Sequence, residues 1–540
     1  MTDASPRSEA EATSAWAPFG RAPFAVLWVA TVISNVGTWM NDVGAGWLMT
    51  ELSPSPFVVA AVQAATTLPV FLFALLAGAV ADIVDRRKML LLVNLLLFLV
   101  VAALAILVAL DAMTPALLLA FTFLIGTGAA FLAPAWQAIV PKLVPRSELP
   151  SAIALNSMGI NVSRAIGPAL AGALIVSIGL YAPFALNALS FLAILAALLW
   201  WRPASAPSPR LPAEHVLGAV RAGLNYAVYS PPLRATLVRA AAFFAFASAY
   251  WAMLPLIARS ILDGGAPLYG ILLGAVGAGA VAGALVLPKI RRRLDPNQIV
   301  AAGTIGTATV LVLFAVVPSV GVAIAASALG GASWIAVLST MHVSAQTALP
   351  DWVRARGLSI FLTVFFGAMS GGSLIWGQVA NLYGLPIALL AAALGAIVFI
   401  PLSRHAKLGQ GADMDLAPSM HWPEPVLDVE APAQRGPVMV QITYEIAAED
   451  QDTFRALMSA LADARRRNGA FGWTLMQEAE HPTRFVETWF EASWKQHLRH
   501  HERVTGDDRA LQDQIRALHR PDEAPNVRHF IAQTAAGAET

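Results

Sequence analysis

The chain has 540 residues, of which 57% are hydrophobic and only 13% charged, with a formal net charge of +1 at pH 7. This composition excludes an ordinary soluble globular protein and a protein with a single membrane anchor, and the balanced charge excludes nucleic-acid binding through overall basicity. There is no cysteine, which excludes disulfides, thiolate metal sites and cysteine nucleophiles.

Residues 1–20 carry Asp3, Glu9 and Glu11 without an apolar core, so they read as a disordered cytosolic tail rather than a signal peptide. Twelve apolar stretches follow, at 24–49, 57–81, 89–110, 115–140, 151–177, 179–201, 236–260, 267–288, 297–317, 320–345, 357–381 and 384–402. Each meets the need for about 20 residues to cross hydrocarbon about 30 Å thick, where a helix alone satisfies its own backbone. The expected fold class is an all-α membrane protein of twelve transmembrane helices, arranged as two six-helix repeats, with a soluble α+β ferredoxin-like domain at the C-terminus. Its expected domains are bundles at 21–201 and 236–404, a cytosolic loop at 202–235, a linker at 405–436 and the soluble domain at 437–534.

Lys and Arg concentrate in alternate loops. Arg86, Arg87 and Lys88, then Lys142 and Arg146, then Arg202, Arg210, Arg221 and Arg234, then Lys289 with Arg291 to Arg293, then Arg354 and Arg356 all fall on one side. The opposite loops hold none, and Arg259 is the one basic residue near them. The positive-inside rule places the basic side and both termini in the cytosol of a cell inner (plasma) membrane. In the central loop Leu217, Val220 and Leu224 at helical spacing predict a surface helix.

An offset of 205 residues superposes Gly78 on Gly283, Arg86 and Arg87 on Arg291 and Arg292, Gly126 on Gly331, Gly167 on Gly372 and Gly172 on Gly377. Two parallel six-helix halves follow, the plan of transporters that rock two bundles about a midplane site.

The run Gly78-Ala-Val-Ala-Asp82-Ile-Val-Asp85-Arg86-Arg87-Lys88 resembles the loop signature of the major facilitator superfamily, with Asp85 where that family usually has a second Gly. Ser163-Arg164-Ala-Ile-Gly167-Pro168-Ala-Leu-Ala-Gly172 is similar to the Gly-Pro signature of its exporter branches. With Asn35-Val-Gly37-Thr38-Trp39, these motifs resemble the enterobactin-exporter-like, transmembrane secretion effector branch. The resemblance implies proton-coupled efflux of a small amphipathic solute by alternating access. It implies gating roles for Gly78, Asp82, Asp85, Arg86, Arg87, Gly167, Pro168 and Arg291. Leu287 stands where Asp82 would recur, which implies a weaker or absent second lock.

Ionisable side chains inside a bilayer are costly, by roughly 2.5–3.5 kcal/mol, and usually face a cavity. Asp42 shares a helical face with Asn35, Thr38 and Trp39, and Arg164 shares one with Ser157 and Asn161. At about 1.5 Å per residue, Arg164 lies roughly 20 Å and Asp42 roughly 27 Å from the cytosolic ends of their helices. The functional expectation is that Asp42 takes up and releases a proton, with Arg164 lowering or raising its affinity as the halves rock; the alternative is a solvated Asp42 at the outer interface. Gln63, Trp136, Gln137, Asn187, Trp251, His342, Gln346 and Gln378 are further cavity candidates, although a single amide or Trp in a span is more often packing glue. His342 has no neighbouring ligand, so neither a metal nor a cofactor is expected. No Gly-x-x-x-x-Gly-Lys loop occurs, which leaves direct ATP coupling without support.

Beyond the linker, Val438–Ile446, Trp473–Glu478, Arg484–Glu491 and Val527–Ala532 read as strands, and Asp452–Arg467 and Ser493–Thr505 as helices. The segment Glu487–Glu502 resembles the dimeric α+β barrel group that includes antibiotic-biosynthesis monooxygenases. That resemblance implies possible self-association and a substrate-modifying or ligand-sensing domain, with Trp473, Trp489, His497 and His501 lining a pocket; the last two equally fit the polar face of a surface helix. The expected partners are a small-molecule substrate and the lipid bilayer, and no enzymatic activity is expected.

Overall fold

The computed structural model describes residues 14–201, 216–409, 411, 413–422, 435–520 and 525–532. The expected N-terminal tail and much of the central loop and linker lie outside these residues. The helices are α1 (Ala22–Leu52), α2 (Pro56–Ile83), α3 (Arg86–Ala109), α4 (Pro115–Ile139), α5 (Leu149–Ser177), α6 (Ala182–Trp200), α7 (Val216–Tyr229), α8 (Pro231–Leu256), α9 (Ala266–Ile290), α10 (Pro296–Val316), α11 (Val320–Thr347), α12 (Arg354–Tyr383) and α13 (Leu385–Leu402). All except α7 are long and apolar enough to cross a membrane, twelve in number among the described residues.

Local chemistry sets their ends. Pro occupies the first turn of α1, α2, α4, α6, α9 and α10, where its missing N–H would have had no partner. Asp295 caps α10 and exchanges hydrogen bonds with Gln298. Asp85, the departure from the family's Gly, caps α3 by accepting the Lys88 N–H at 2.9 Å.

The chain forms two compact units. The first comprises residues 1–211, 240–339 and 362–402 and is built from the spanning helices. Its repeat is structural as well as sequential. In α5, a Cβ at Gly167 would lie 2.6 Å from the Trp39 Cβ of α1; in α12, one at Gly372 would lie 2.4 Å from the Ala245 carbonyl of α8. Gly172 meets Pro267 at the start of α9, while its counterpart Gly377 meets Ala60 and Phe57 at the start of α2. Each half thus presents its fifth helix to the second helix of the other. Small residues allow this close approach, since apolar attraction between helices is weak in lipid.

The second unit comprises residues 212–239, 340–361 and 403–540. It holds α7, the adjoining ends of α8, α11 and α12, and a four-stranded antiparallel sheet. That sheet contains β1 (Val438–Glu445), β2 (Phe471–Gln477), β3 (Arg484–Glu491) and β4 (Asn526–Ile531), in the order β2-β3-β1-β4. Helices α14 (Gln451–Arg467), α15 (Trp494–Arg503) and α16 (Gly506–Ala517) complete a ferredoxin-like arrangement. Val438, Val440, Ile442 and Tyr444 alternate along β1 into a core with Phe454, Met458, Leu461, Phe485 and Trp489.

Two local expectations change. The stretch after Thr505 is helical, because Thr505 and Asp508 form a capping box that starts α16. Residues 413–422 of the expected exposed linker pack within this unit: Ser419 N–H donates to the Val504 carbonyl at 2.9 Å, and Trp422 Nε1 donates to Gln512 Oε1 at 2.8 Å.

Candidate functional site

In the first unit, α5 carries Arg164 to α1, where its guanidinium carbon sits 5.4 Å from the centre of the Trp39 ring. The contact is made possible by Gly167, one turn on, which lets the Trp39 side chain lie directly against α5. Arg164 Nε is buried without a hydrogen-bond partner. The Tyr250 hydroxyl of α8, also buried without a partner, lies within electrostatic reach of Arg164. A half-buried cation and the Trp39 ring therefore meet at this seam, with the unspent Tyr250 hydroxyl of the other half within electrostatic reach. The arrangement suits a planar or anionic group that stacks on Trp39 and accepts from Arg164.

Asp42 lies farther along α1 and forms no ion pair with Arg164. Its neighbours are Asn41, 1% exposed with an unpartnered Oδ1, and Tyr269 of α9. Gly46 admits that tyrosine, since a Cβ there would stand 2.9 Å from its hydroxyl. Asp42 and Arg164 thus have different polar neighbours.

The other expected residues divide. Asn35, Gln63 and Trp136 are half-buried, whereas Gln137 and Gln378 are exposed. Asn161 turns back onto the Ser157 carbonyl of its own helix at 2.9 Å. Asn187 is buried against α1 at Gly37. Trp251 joins Trp334, Phe244 and Phe365 in an aromatic wall, with Trp334 centred 5.1 Å from Trp251 and 5.2 Å from Phe244. In the second unit, Gln346 and His342 hydrogen-bond to each other at 3.0 Å.

Among the gating candidates, Gly78 has open space around its Cβ position, and the side chain of Asp82 lies outside what is described. Arg87 donates to the carbonyls of Leu198 and Leu199, at 2.8 and 3.1 Å, capping the end of α6 within its own half. Arg291 donates to Ser339 Oγ at 2.8 Å, again within one half. The Pro168 carbonyl faces Gly270 of α9, where a Cβ would come within 2.5 Å. Gly167 and Pro168 therefore sit at the seams that join α5 to α1 and to α9.

Sequence reasoning missed Tyr250, Tyr269 and Asn41. A polar atom in an apolar run was the available signal for each, but nothing in helix periodicity tied them to Arg164 or Asp42.

The C-terminal domain has a polar interior. Glu487, fully buried, accepts from Tyr444 at 3.0 Å, Trp473 Nε1 at 2.9 Å and Arg465 at 3.2 Å. Arg465 lies 4.1 Å from the Trp489 ring centre and 5.0 Å from that of Trp422. Glu491 accepts from His500, yet its Oε2 has no partner, nor has His497 Nδ1. His497 is 1% exposed, so it does not belong to a solvated helix face, and its Nε2 lies 3.2 Å from that of His501.

Burial, and then His501, push His497 down to about 2; burial and His500 push His501 down to about 4. An unfolded histidine titrates near 6.5, so below that pH the unfolded state takes up protons that the folded domain refuses. The stabilisation is complete above about pH 6.5 and is lost as pH falls towards 4. Tryptophan fluorescence of the domain during heating should therefore show a lower melting midpoint at pH 5 than at pH 7.5, with a smaller difference in His501→Gln.

A family model for transmembrane secretion effectors matches residues 13–537, a span that takes in both units. The chain is 24% identical over 358 residues to the staphyloferrin A transporter of Staphylococcus aureus, covering 65% of this chain and 87% of that protein. It is 25% identical over 410 residues to the multidrug efflux pump Tap of Mycolicibacterium fortuitum, covering 72% and 98% respectively. It is 26% identical over 339 residues to the enterobactin exporter EntS of Shigella boydii, covering 62% and 79%. The fold resembles an inward-facing, occupied bacterial homologue of the human lysosomal transporter Spinster, at TM-score 0.56 and 15% identity, covering 72% of this chain and 98% of that one. It also resembles a POT family transporter in complex with a thioalcohol-conjugated peptide, at TM-score 0.59 and 14% identity, covering 70% and 94%.

Proposed function

Because the chain belongs to the transmembrane secretion effector family, we propose that it is a secondary transporter that exports a small amphipathic solute by alternating access. The relatives named as a siderophore transporter, a siderophore exporter and a drug efflux pump support a solute of siderophore or drug type. The basic loops support a cytosolic position for that side of the bundle and for both termini, in a cell inner membrane.

The observation that carries this reading is the Arg164–Trp39 pair, with a buried guanidinium nitrogen that no protein group satisfies. A lone intramembrane cation is retained against its insertion cost when it serves a ligand or ion pathway. An aromatic or carboxylate-bearing solute supplies the missing acceptor. The face pairing of α5 with α9 and of α12 with α2 supplies a pseudo-symmetric hinge for the rocking of the halves.

Asp42 is the proton carrier in this reading: it binds a proton from the outer side and releases it to the cytosol as the solute leaves. Asp42→Asn, which cannot release a proton, is expected to lose export driven by an imposed proton gradient while still binding solute. Solute flux from vesicles with and without the gradient decides this, and gradient-driven export intact in Asp42→Asn removes Asp42 from coupling.

A second reading concerns the C-terminal domain. The unpartnered Glu491 Oε2 and His497 Nδ1 in its polar interior favour a ligand-sensing module over a passive appendage. Equilibrium dialysis of candidate solutes against the full chain and His497→Ala tests it; equal binding by both rejects the module.

A further inference from the structure

The C-terminal domain is held by more than its linker. Helix α7, in the loop that joins the two halves, packs on α14, and Tyr226 at their junction is 2% exposed. Its hydroxyl donates to the Ala348 carbonyl just beyond α11 at 3.1 Å, and its ring lies 5.6 Å from the guanidinium of Arg467. Arg467 is itself buried and ion-paired with Asp508 of α16. A second contact sets Arg503 of α15 over Trp352, in the loop between α11 and α12, at 4.1 Å. Gly411 closes a third, where a Cβ would stand 2.7 Å from the Ala348 Cα. On its other side α7 meets α12: a Cβ at Gly223 would lie 3.1 Å from the Arg356 Cβ.

All of these membrane-side partners come from the second half of the transporter or from the helix that leads into it. The unit that contains the domain includes the ends of α8, α11 and α12 and the chain after α13, and it includes no described residue of α1–α6.

We infer that the C-terminal domain is docked on α7 and on the turn between α11 and α12 that share its unit, with Tyr226, Arg467, Trp352 and Arg503 as positioning residues that keep it there through the transport cycle. This rests on the transport reading for its cycle but not for its contacts. A domain clamped both to α7 and to the turn between α11 and α12 keeps those two segments at one spacing. Buried pairs of this kind suit such a joint: breaking one partner leaves a charge or ring uncompensated, and the joint opens only as a whole. The Tyr226 phenol, which burial pushes up to about 12, stays a neutral donor across the physiological range.

The chain's lack of cysteine makes thiol cross-linking clean. The Arg466 guanidinium of α14 lies 5.6 Å from the Tyr229 ring of α7, so in the full chain reconstituted in vesicles Tyr229→Cys with Arg466→Cys is to be bridged by a short bifunctional thiol reagent. Efficient bridging with transport retained is expected. Transport that stops on bridging and returns on cleavage of the reagent overturns the inference, because the domain would then have to leave its seat.

Trp352→Ala combined with Arg503→Ala is expected to lower the maximal transport rate several-fold at unchanged half-saturation, and to speed amide hydrogen exchange in α7. Faster exchange with a normal maximal rate also overturns it. Should the double variant fail to accumulate, Arg503→Lys keeps the charge, loses the planar stack and is read the same way. Hydrogen exchange in the unaltered chain separates the two readings: an α7 that exchanges like a free helix refutes docking, whereas protected α7 in vesicles that move no solute refutes transport alone.

Discussion

Export by Arg164→Ala is expected to fall at least about tenfold, with the amount of protein in the membrane unchanged. One charge-assisted hydrogen bond contributes about 1.5–3 kcal/mol, and about 1.4 kcal/mol corresponds to a factor of ten. The guanidinium is joined to the rest of the chain mainly through the Trp39 ring, at 5.4 Å, so its removal takes little packing away. The helix seam around it rests instead on Gly167, Gly270 and Gly277. Arg164→Lys is expected to recover only a small part of the activity, because an ammonium neither stacks flat on an indole nor offers a fork of donors. Uncoupler-sensitive efflux from cells with matched protein levels is the measurement. Normal efflux in Arg164→Ala would remove the proposed solute contact.

The second large effect concerns the fold. Gly331→Ala is expected to prevent accumulation of the protein. A Cβ there would come within 1.8 Å of the Val276 carbonyl, and one at Gly279 within 1.9 Å of the Ala328 carbonyl. The two glycines face one another's helices, α9 and α11, backbone against backbone. Neither carbonyl has a rotamer through which to withdraw, so the helices must separate, at a cost of about 1–3 kcal/mol or more. Gly126→Ala, the equivalent change in the first half, meets the Thr66 carbonyl at 2.7 Å and is expected to be milder. Gly371→Ala, with nothing within 4 Å, is expected to be neutral. Membrane abundance and detergent melting curves compare the three, and equal abundance of Gly331→Ala and Gly371→Ala would contradict the close crossing.

The helices themselves were legible because hydrocarbon imposes a single solution on the backbone, so twelve apolar runs map onto twelve long helices with end shifts of a few residues. The repeat was legible for a related reason. Glycines such as Gly167 and Gly372 recur because two backbones touch at both places. What the sequence did not carry was pairing across distance. Arg164 and Asp42 stand out by cost alone, yet whether they meet depends on which turns of α1 and α5 face each other, and that is set by Gly167 and Trp39 together. Arg87 illustrates the same limit: its charge marked a loop, but its partners are carbonyls at the end of α6, more than a hundred residues away. In the C-terminal domain, alternation revealed the strands, whereas α16 escaped although Thr505 and Asp508 form its capping box.

The seat of Tyr226 on Arg467 and Asp508 also has an order in time. Close to 280 residues separate the two sides of that contact in the chain. At about 5–20 residues per second, a ribosome takes roughly 15–60 s to make the second side after the first. Through that interval α7 carries its Tyr226 face uncovered by α14. The residues beyond the linker therefore complete the seat of α7 as well as their own fold. A chain ended at the linker would remain in that unfinished condition, and its instability would say nothing about whether the missing domain binds a solute.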